Sequence, residues 1–474
     1  MGENTVPDAK QNLLRKLPSV DRLLAGETVA GWLARHPRPL VTDCLREALG
    51  ELRRQILADA AGRCGATHVT EAFVLGRAEA LLADRTRSHV RHAINATGII
   101  LHTALGRAVW PECVVDDMIA GLKGYVTLAI DRETGKRSER HHRVEGILCE
   151  LTGAEAATVV NNNAGATLLV LAALAAGRET IVSRGQLIEI GGAFRLPDVM
   201  AQSGATMVEV GTTNRTHLRD YEGAITEQTA MIFRAHPSNY RILGFTKQVP
   251  LEALVALAHS RGLTMIDDLG AGALVGLERF GLPHEPTVQE SLAAGADVVV
   301  SSTDKLIGAS QGGLIVGRAE AVERVRTHPL ARALRADKTC LMALERTLAL
   351  FRDPDLLVRE HPLYRMLATA PDVLRTRADA LATAIAEAAP KARIDVLPGE
   401  GFLGSGSLPM EKLPTFVVAV TLDALDPGEL ARQLRLDDAC LFARIDAGRV
   451  VLDVRTMTDE QVPVAAAAIA RVHP

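Results

Sequence analysis

The sequence predicts an α/β protein, with a mainly parallel sheet covered by helices, a helical N-terminal domain and a smaller α/β C-terminal domain. From Ala157 onward, short apolar stretches alternate with amphipathic helices, which is the pattern of parallel strands joined by helical crossovers. Glycine is frequent, at 39 of 474 residues, as expected where many tight turns join strands to helices. Hydrophobic residues make up 47% of the chain, so a sizeable core and two or three domains can form.

The composition argues against several classes of protein. With 53 basic and 57 acidic side chains, the net charge of −4 does not favour a nucleic-acid binder unless the basic residues are clustered. The six cysteines form no CxxC pair and have no metal-ligand spacing, so we expect reduced packing residues and no metal site. The polar start lacks a signal peptide, and no apolar run is long enough to span a membrane. We therefore expect a cytoplasmic protein without membrane contact.

Four segments are predicted in order along the chain. Residues 1–75 form a helical domain of nearly neutral charge, because leucines recur at helical spacing on both sides of a proline break. Residues 76–95 form a linker helix, and the segment Val69–Val90 is predicted as a connecting helix that overlaps it. Residues 96–345 form the large domain, and residues 346–474 the small α/β domain.

Seven short apolar stretches are predicted as the strands of the large domain. The connection after the sixth is too short for a full helix, so the seventh strand is expected to run antiparallel. The predicted strands are Ala157–Val160, Thr180–Ser183, Thr206–Val210, Ala230–Arg234, Leu263–Asp267, Ala296–Val300 and Gly313–Val316.

The C-terminal part begins with a predicted helical stretch, Leu330–Phe351. Beyond it, a smaller sheet and a final alanine-rich helix that starts at Pro463 are expected. The glycine-rich run Gly399–Ser407 lacks the strand-to-helix context of a phosphate loop and is predicted to be a flexible turn. The strands predicted here are Arg393–Val396, Thr415–Thr421 and Arg449–Val454.

Polar residues follow the carboxyl ends of the predicted strands, which is where ligands bind in open α/β sheets. Lys305 lies in the turn between the last two strands. Most lysines are solvated, but one at the end of a buried strand is partly desolvated and therefore nucleophilic. Such an amine can form a Schiff base with pyridoxal 5′-phosphate. The polar groups at this edge are Asn161–Asn163, Arg184–Gln186, Thr212–Asn214, His236–Asn239, Asp268 and Ser302–Lys305.

Two adjacent aspartates compete for the role of the acid at the pyridine nitrogen. Alternation along the strand places Asp267 and Asp268 on opposite faces, and Asp268 is preferred because it borders the turn. A carboxylate there would keep the ring nitrogen protonated.

The cofactor phosphate is expected at the start of the helix that opens with Asn163, Ala164 and Gly165, although an asparagine cap without a ligand would have the same sequence. A hydroxyl contact is assigned to Ser302. Contacts with the ring substituents are assigned to Ser238 and Asn239.

Three cations in the segment HPLARALRADK are spaced by three residues: Arg332, Arg335 and Lys338. On a helix they would share one face, either solvated or forming a cradle for an oxyanion. Arg107, in a glycine turn, could join them.

Long strings of this sequence resemble the bacterial selenocysteine synthases, the L-seryl-tRNA(Sec) selenium transferases. They include LPSVDRLL from Leu17, INATGIILHTALGRA from Ile94, VVNNNAGATLL from Val159 and HPLARALRADK from His328. The resemblance runs nearly end to end. Two departures touch the rim of the site: Gln186 replaces an expected glutamate, and ASQGG (residues 309–313) replaces GPQAG.

The resemblance implies a fold-type I pyridoxal-phosphate-dependent transferase with Lys305 as the Schiff-base residue and Asp304 assisting proton transfer. It implies that Arg107, Arg332 and Arg335 hold selenophosphate. The active sites would form between subunits of a homodecamer built as a pentamer of dimers, with Arg137 or Arg140 reaching across a dimer.

The implied reaction converts L-seryl-tRNA(Sec) to L-selenocysteinyl-tRNA(Sec). Elimination of the serine hydroxyl gives aminoacrylyl-tRNA, which then accepts selenium from selenophosphate, while the N-terminal domain engages the tRNA. The alternative is a pyridoxal-phosphate-dependent lyase of a small amino acid or amino sugar on the same scaffold, which would not need that N-terminal domain. A third interpretation, an inactive scaffold or a tRNA-binding protein without enzymatic activity, is disfavoured by the Asp268 and Lys305 pair.

Overall fold

The structure, a computed structural model, describes residues 8–58, 70–140, 142–192, 194–404, 406–408 and 410–472. Contacts divide the chain into two units, Met1–Arg91 and His92–Pro474. In the described residues, no helix is both long enough and apolar enough to cross a membrane.

The first unit is helical because its leucines recur at helical spacing and bury one face of each long helix. Leu45, Leu49 and Leu52 on the longest helix are buried against Val74 and Leu82 of the last helix. The connecting helix predicted over Val69–Val90 is shorter in the structure, and Val69 lies outside the described residues. The helices are α1 (Asp8–Lys16), α2 (Val20–Leu24), α3 (Glu27–Leu33), α4 (Arg38–Ala58) and α5 (Glu71–Thr86), the last of which is that connecting helix.

The described residues of the second unit form two large sheets and a two-stranded ribbon. The strands are β1 (Ile94–Ala96), β2 (Ile99–Leu101), β3 (Ala156–Val160), β4 (Glu179–Ser183), β5 (Glu189–Ile190), β6 (Phe194–Arg195), β7 (Thr206–Val210), β8 (Thr229–Ala235), β9 (Thr264–Gly270), β10 (Val298–Ser302), β11 (Gly313–Gly317), β12 (Arg393–Gly404), β13 (Lys412–Thr421), β14 (Leu441–Asp446) and β15 (Arg449–Asp453).

Helices connect most of these strands. They are α6 (Glu112–Leu122), α7 (His142–Thr152), α8 (Asn163–Ala175), α9 (Leu196–Gln202), α10 (Leu218–Ala224), α11 (Leu251–Ser260), α12 (Val288–Ala293), α13 (Ala319–Thr327), α14 (Pro329–Ala333), α15 (Lys338–Leu350), α16 (Pro354–Glu360), α17 (Pro362–Ala368), α18 (Pro371–Ala388), α19 (Pro427–Leu436) and α20 (Gln461–Val472).

The larger sheet has the strand order β3-β11-β10-β9-β8-β4-β7, and all seven of its strands were predicted from the sequence. Strands β10, β9, β8, β4 and β7 are parallel, whereas β11 is antiparallel to both of its neighbours, which confirms the prediction from the short connection. Val299 packs into one apolar cluster while Val298 and Val300 pack into another. Helices therefore cover both faces of the sheet, as the predicted fold class requires.

The second sheet has the order β1-β14-β15-β13-β12-β2 and corrects the interpretation of the glycine-rich run. Gly399–Gly404 is not a flexible turn but the second half of β12, where Phe402 pairs with Ile99 of β2. A Cβ at Gly404 would lie 2.7 Å from Ile99 Cγ2, so glycine there admits a neighbouring strand. The last two residues of the run lie beyond the strand, and Ser405 lies outside the described residues.

A buried aromatic group lies in the large core cluster behind the sheet. Tyr364 packs against Phe280 and Phe351, with ring centroids 5.7 Å apart in each pair, and against His361 at 5.2 Å. His361 is fully buried, and this burial lowers its pKa to about 4. The imidazole is therefore neutral in the folded protein at ordinary pH.

This buried histidine predicts a pH-dependent stability. In the unfolded chain, an imidazole takes up a proton near its ordinary pKa of 6.5, whereas folded His361 does not until the pH approaches about 4. Its contribution to stability is therefore complete above about pH 6.5 and is lost as the pH falls to about 4, a loss of about 3 kcal/mol. Urea unfolding of the wild type and of His361→Gln across this range should show the steeper decline in the wild type, and equal slopes would contradict the prediction.

Candidate active site

Lys305 lies in the turn between β10 and β11, with only 6% of its surface exposed. Its Nζ donates to the Gly270 carbonyl at 3.2 Å. Burial, and next the charge of Arg107, lower the pKa of this amine. A Cβ at Gly406 would lie 2.6 Å from Nζ, so a glycine from the C-terminal segment covers the amine. The structure thus holds a desolvated lysine at the sheet edge that the sequence predicted.

Asp268 is buried beside this lysine and accepts three hydrogen bonds. Oδ1 accepts from Asn163 Nδ2 and from the Gly270 N–H, and Oδ2 accepts from Thr167 Oγ1, each at 3.0 Å. Burial raises the pKa of Asp268, while these donors and the charge of Lys305 act in the opposite direction. Thr167 was not predicted as a site residue, although it lies four residues after Asn163 and therefore on the same helix face.

Asp267 faces the other side of the sheet. Arg234 Nη1 contacts its carboxylate at 3.0 Å, and Ser291 Oγ donates to it at 2.7 Å. This aspartate is therefore fully engaged in the core. Of the two candidates, the structure puts Asp268 on the side of Lys305.

The start of α8 differs from the expectation in one respect. The capping residue is Asn162, whose side chain accepts from the Gly165 N–H at 2.7 Å. Asn163 is the first helical residue and turns its amide toward Asp268, while Ala164 is exposed. The sequence could not distinguish among three consecutive asparagines, each of which is a suitable cap. In this state, the Gly165 N–H is thus occupied by a side chain of the protein itself.

Three further predicted residues lie at the same edge. Ser302 is the buried last residue of β10. Ser238 is buried against Gly270, where an added Cβ would lie 2.9 Å from Ser238 Oγ. Asn239 follows it, and its Oδ1 is buried without a hydrogen-bond partner among the described residues.

Asp304 and Arg107 form a partly buried ion pair next to Lys305, with Arg107 Nη1 donating to Asp304 Oδ2. Arg107 follows Gly106 in a tight turn, and both residues have positive φ, 64° and 92°. The turn aims the guanidinium at the lysine site. Arg107 is therefore paired with Asp304 rather than joined to the arginines of the HPLARALRADK segment.

That segment is not one continuous helix, which corrects the prediction for Leu330–Phe351. Helix α14 ends at Ala333 and α15 begins at Lys338, because the chain between them pairs with the end of β3. The Asn161 N–H donates to the Leu334 carbonyl at 2.8 Å, and Arg335 forms a β-bridge with Val160. Arg332, Arg335 and Lys338 consequently do not share a helix face.

Arg332 and Arg335 instead line a cavity of about 850 Å³ together with Arg137 and Arg140. Partial desolvation, and then the charges of Arg140, Arg332 and Arg137, lower the pKa of Arg335. We call these four residues the arginine cluster. Neither Lys305 nor Lys338 lines this cavity.

The two departures from the resembled family make ordinary hydrogen bonds. Gln186 is buried, and its Oε1 accepts from the Ala235 N–H at 3.2 Å. In the segment ASQGG, Ser310 Oγ donates to the Cys340 carbonyl at 3.0 Å, and Gln311 Nε2 donates to the Asn161 carbonyl at 3.3 Å. Both departures thus support the backbone around the site.

Comparison with solved structures identifies the fold. A D-glucosaminate-6-phosphate ammonia-lyase superposes with a TM-score of 0.55 at 20% identity, covering 80% of this chain and 96% of the lyase. This likeness is one of fold, and the architecture is the expected fold-type I arrangement.

Comparison with known sequences identifies the family. The sequence model of the L-seryl-tRNA selenium transferase family matches residues 93–458, and that of the selenocysteine synthase N terminal matches residues 14–53. An L-seryl-tRNA(Sec) selenium transferase of Geobacter sulfurreducens is 44% identical over 458 residues, covering 96% of this chain and 98% of the relative. One of Methylocella silvestris is 46% identical over 451 residues, covering 94% and 95%. This chain therefore belongs to the L-seryl-tRNA selenium transferase family.

Proposed function

We propose that this chain converts L-seryl-tRNA(Sec) to L-selenocysteinyl-tRNA(Sec), with pyridoxal 5′-phosphate as cofactor and selenophosphate as selenium donor. The observation that carries the proposal is the desolvated Lys305 amine beside the buried Asp268 carboxylate, in a chain that belongs to this family. The match of residues 14–53 to the selenocysteine synthase N terminal supports assigning the tRNA to the helical N-terminal domain.

The residues present at the site fit pyridoxal phosphate. Asn163 Oδ1 and Asn239 Oδ1 are buried acceptors without a partner among the described residues, and an N–H or O–H on a bound ring would satisfy such groups. Gly270 and Gly406 leave room where a side chain would meet Ser238 or Lys305. When bound, the cofactor supplies an electron sink for negative charge at the amino-acid Cα. The residues that would hold it are Lys305, Asp268, Asn163, Ala164, Gly165, Ser238, Asn239 and Ser302.

Three acidic or basic side chains at the site are assigned to proton transfer. Asp268 would hold a proton at the ring nitrogen, because its carboxyl group is buried on the side of Lys305 and is oriented by the hydrogen bond from Asn163. Lys305 Nζ, whose pKa is lowered by burial, would remove the Cα proton of the seryl group in its deprotonated form. Asp304, fixed by Arg107, would exchange a proton with the adjacent lysine.

The arginine cluster is proposed to bind selenophosphate, together with Arg107. An aminoacyl ester has no free carboxylate, so guanidinium groups near the site are available for the selenium donor. Because Lys305 does not line the cavity that holds the arginine cluster, we infer that a second copy brings Arg137 or Arg140 to the site across a dimer. A homodecamer of such dimers, a pentamer of dimers, is the assembly proposed for the chain.

Replacing Arg335 by alanine is expected to raise the KM for selenophosphate by about 10-fold to 100-fold, because a hydrogen bond to a charged group contributes about 1.5–3 kcal/mol. Arg332→Ala should act in the same way. Lys338→Ala is the matched control, since it removes a cation from the same segment but not from the cavity. Steady-state kinetics with varied selenophosphate measure this effect. An equal rise of the KM in Lys338→Ala would show that the arginine cluster has no specific role in binding selenophosphate.

The direct test of function is to mix the purified protein with seryl-tRNA(Sec), selenophosphate and pyridoxal phosphate. We expect selenocysteinyl-tRNA(Sec), and we expect tRNA binding to weaken steeply as salt is added if phosphate contacts dominate. Turnover of free serine or of an amino sugar, without any selenocysteinyl-tRNA, would favour the small-molecule lyase instead.

A further inference from the structure

Two buried side chains hold the peptide groups that directly follow Lys305. Tyr364 Oη donates to the Leu306 carbonyl at 2.6 Å, and His361 Nε2 donates to the Ile307 carbonyl at 3.1 Å. Both side chains have no exposed surface. They come from the loop and helix around α17, more than fifty residues further along the chain.

The direction of the His361 bond follows from its two partners. A carbonyl can only accept, so the proton lies on Nε2, and the Nδ1 atom accepts from the Leu363 N–H at 3.3 Å. The ring is thus held at both nitrogens. A Cβ at position 308 would overlap the imidazole, and Gly308 has a φ of 69°, so glycine there is what lets the ring reach the turn.

Other bonds complete the enclosure of this turn. The Leu306 N–H donates to the Ala271 carbonyl at 3.2 Å, so both polar groups of that residue have a fixed partner. Thr303 Oγ1 donates to the Ser310 carbonyl at 2.6 Å and closes the turn across its base. The backbone on the C-terminal side of Lys305 is therefore fixed, and its side chain is the part left to move.

We propose that His361 and Tyr364 are positioning residues for Lys305. They fix the Cα of Lys305. The amine at the end of its flexible side chain is therefore restricted to the space beside Asp268, where the aldehyde of the cofactor would bind. Fixing one reacting group in advance lowers the entropy cost of orienting the two groups for reaction. The inference rests on the proposed role of Lys305 and adds a second pair of side chains to it.

The test is Tyr364→Phe in the full-length protein, freed of cofactor and then mixed with pyridoxal phosphate alone. This change removes one hydroxyl and keeps the ring packed against Phe280 and Phe351. The rate at which the absorbance band of the lysine-bound cofactor appears should fall about threefold to tenfold, because one hydrogen bond to the turn is lost. In turnover, kcat should fall by a similar factor while the KM for seryl-tRNA stays unchanged.

Tyr221→Phe is the matched control. Tyr221 is also buried in the same unit, and its hydroxyl lies near Ser183 rather than the lysine turn. It should lose comparable stability with no change in the attachment rate. A pair of variants at the other position separates donation from packing: His361→Leu should slow attachment about tenfold, and His361→Gln, whose amide can still donate, should restore most of the rate.

Equal slowing in Tyr364→Phe and Tyr221→Phe, or no slowing in either, would show that the two residues serve core packing alone and would overturn the proposal. The readout needs neither tRNA nor selenium, so it stands even if the transferase reaction is not observed. Conversely, normal turnover with unchanged attachment in His361→Leu would refute the positioning role and leave the proposed function intact.

Discussion

Lys305→Ala is expected to abolish the absorbance band of the lysine-bound cofactor and to lower turnover by at least about 10³-fold. The substitution would remove both the proposed covalent attachment point and the proposed base for the Cα proton, and a positioned base alone contributes about 10²–10⁴-fold. The folded protein should be at least as stable as the wild type, because a desolvated amine is a cost to folding. Absorbance, turnover and urea unfolding measure the three effects.

Lys338→Ala provides the control for Lys305→Ala, because Lys338 is exposed. It should keep both the band and turnover through the elimination step. If the band persisted in Lys305→Ala, the cofactor would be attached elsewhere, and the assignment of the whole site would be wrong.

Asp268→Asn is expected to lower kcat by about 10²-fold or more. The substitution keeps the size of the side chain but removes the negative charge, and groups preorganised to stabilise charge typically contribute about 10²–10³-fold. With its amide nitrogen in the place of Oδ1, the new side chain would face Asn163 Nδ2 and the Gly270 N–H, which are donors themselves. Weaker cofactor binding should accompany the loss of rate.

Asp267→Asn separates charge at the ring from charge in the core. Asp267 is equally buried, but it is paired with Arg234 on the opposite face. Its substitution should cost about 3 kcal/mol of stability, because a largely buried guanidinium loses its partner, and should leave kcat of the folded protein nearly unchanged. The reverse pattern, with kcat lost only in Asp267→Asn, would transfer the acid role to the aspartate that the sequence left as an alternative.

Much of the fold follows from local patterns in the sequence. The seven strands of the larger sheet could be predicted because each buried strand is a short apolar run, and an antiparallel β11 followed from the length of one connection. The predictions of local structure were wrong where a residue contacts another that is distant in the sequence. Gly404 was predicted in a turn but packs against Ile99 of the neighbouring strand. Leu334 was predicted in a helix, but its carbonyl accepts a hydrogen bond from Asn161.

The candidate site divides in the same way. The location of Lys305, Asp268, Ser238 and Ser302 at one edge of the sheet could be predicted, because parallel strands bring their carboxyl ends together. Two details could not be predicted. Asn162 rather than Asn163 caps α8, and adjacent asparagines are equivalent in the sequence. Arg107 pairs with Asp304, which lies 197 positions further along the chain.

The order of strands and helices, the family, and the position of a lysine at the sheet edge are determined by the sequence itself, because hydrophobic periodicity and strand direction act over a few residues at a time. Only the tertiary structure decided which aspartate faces the lysine, which arginines share a cavity, and that His361 and Tyr364 hold the peptide groups after Lys305. Those outcomes depend on hydrogen bonds and burial between residues distant in the chain, whose energies exist only once the chain has packed.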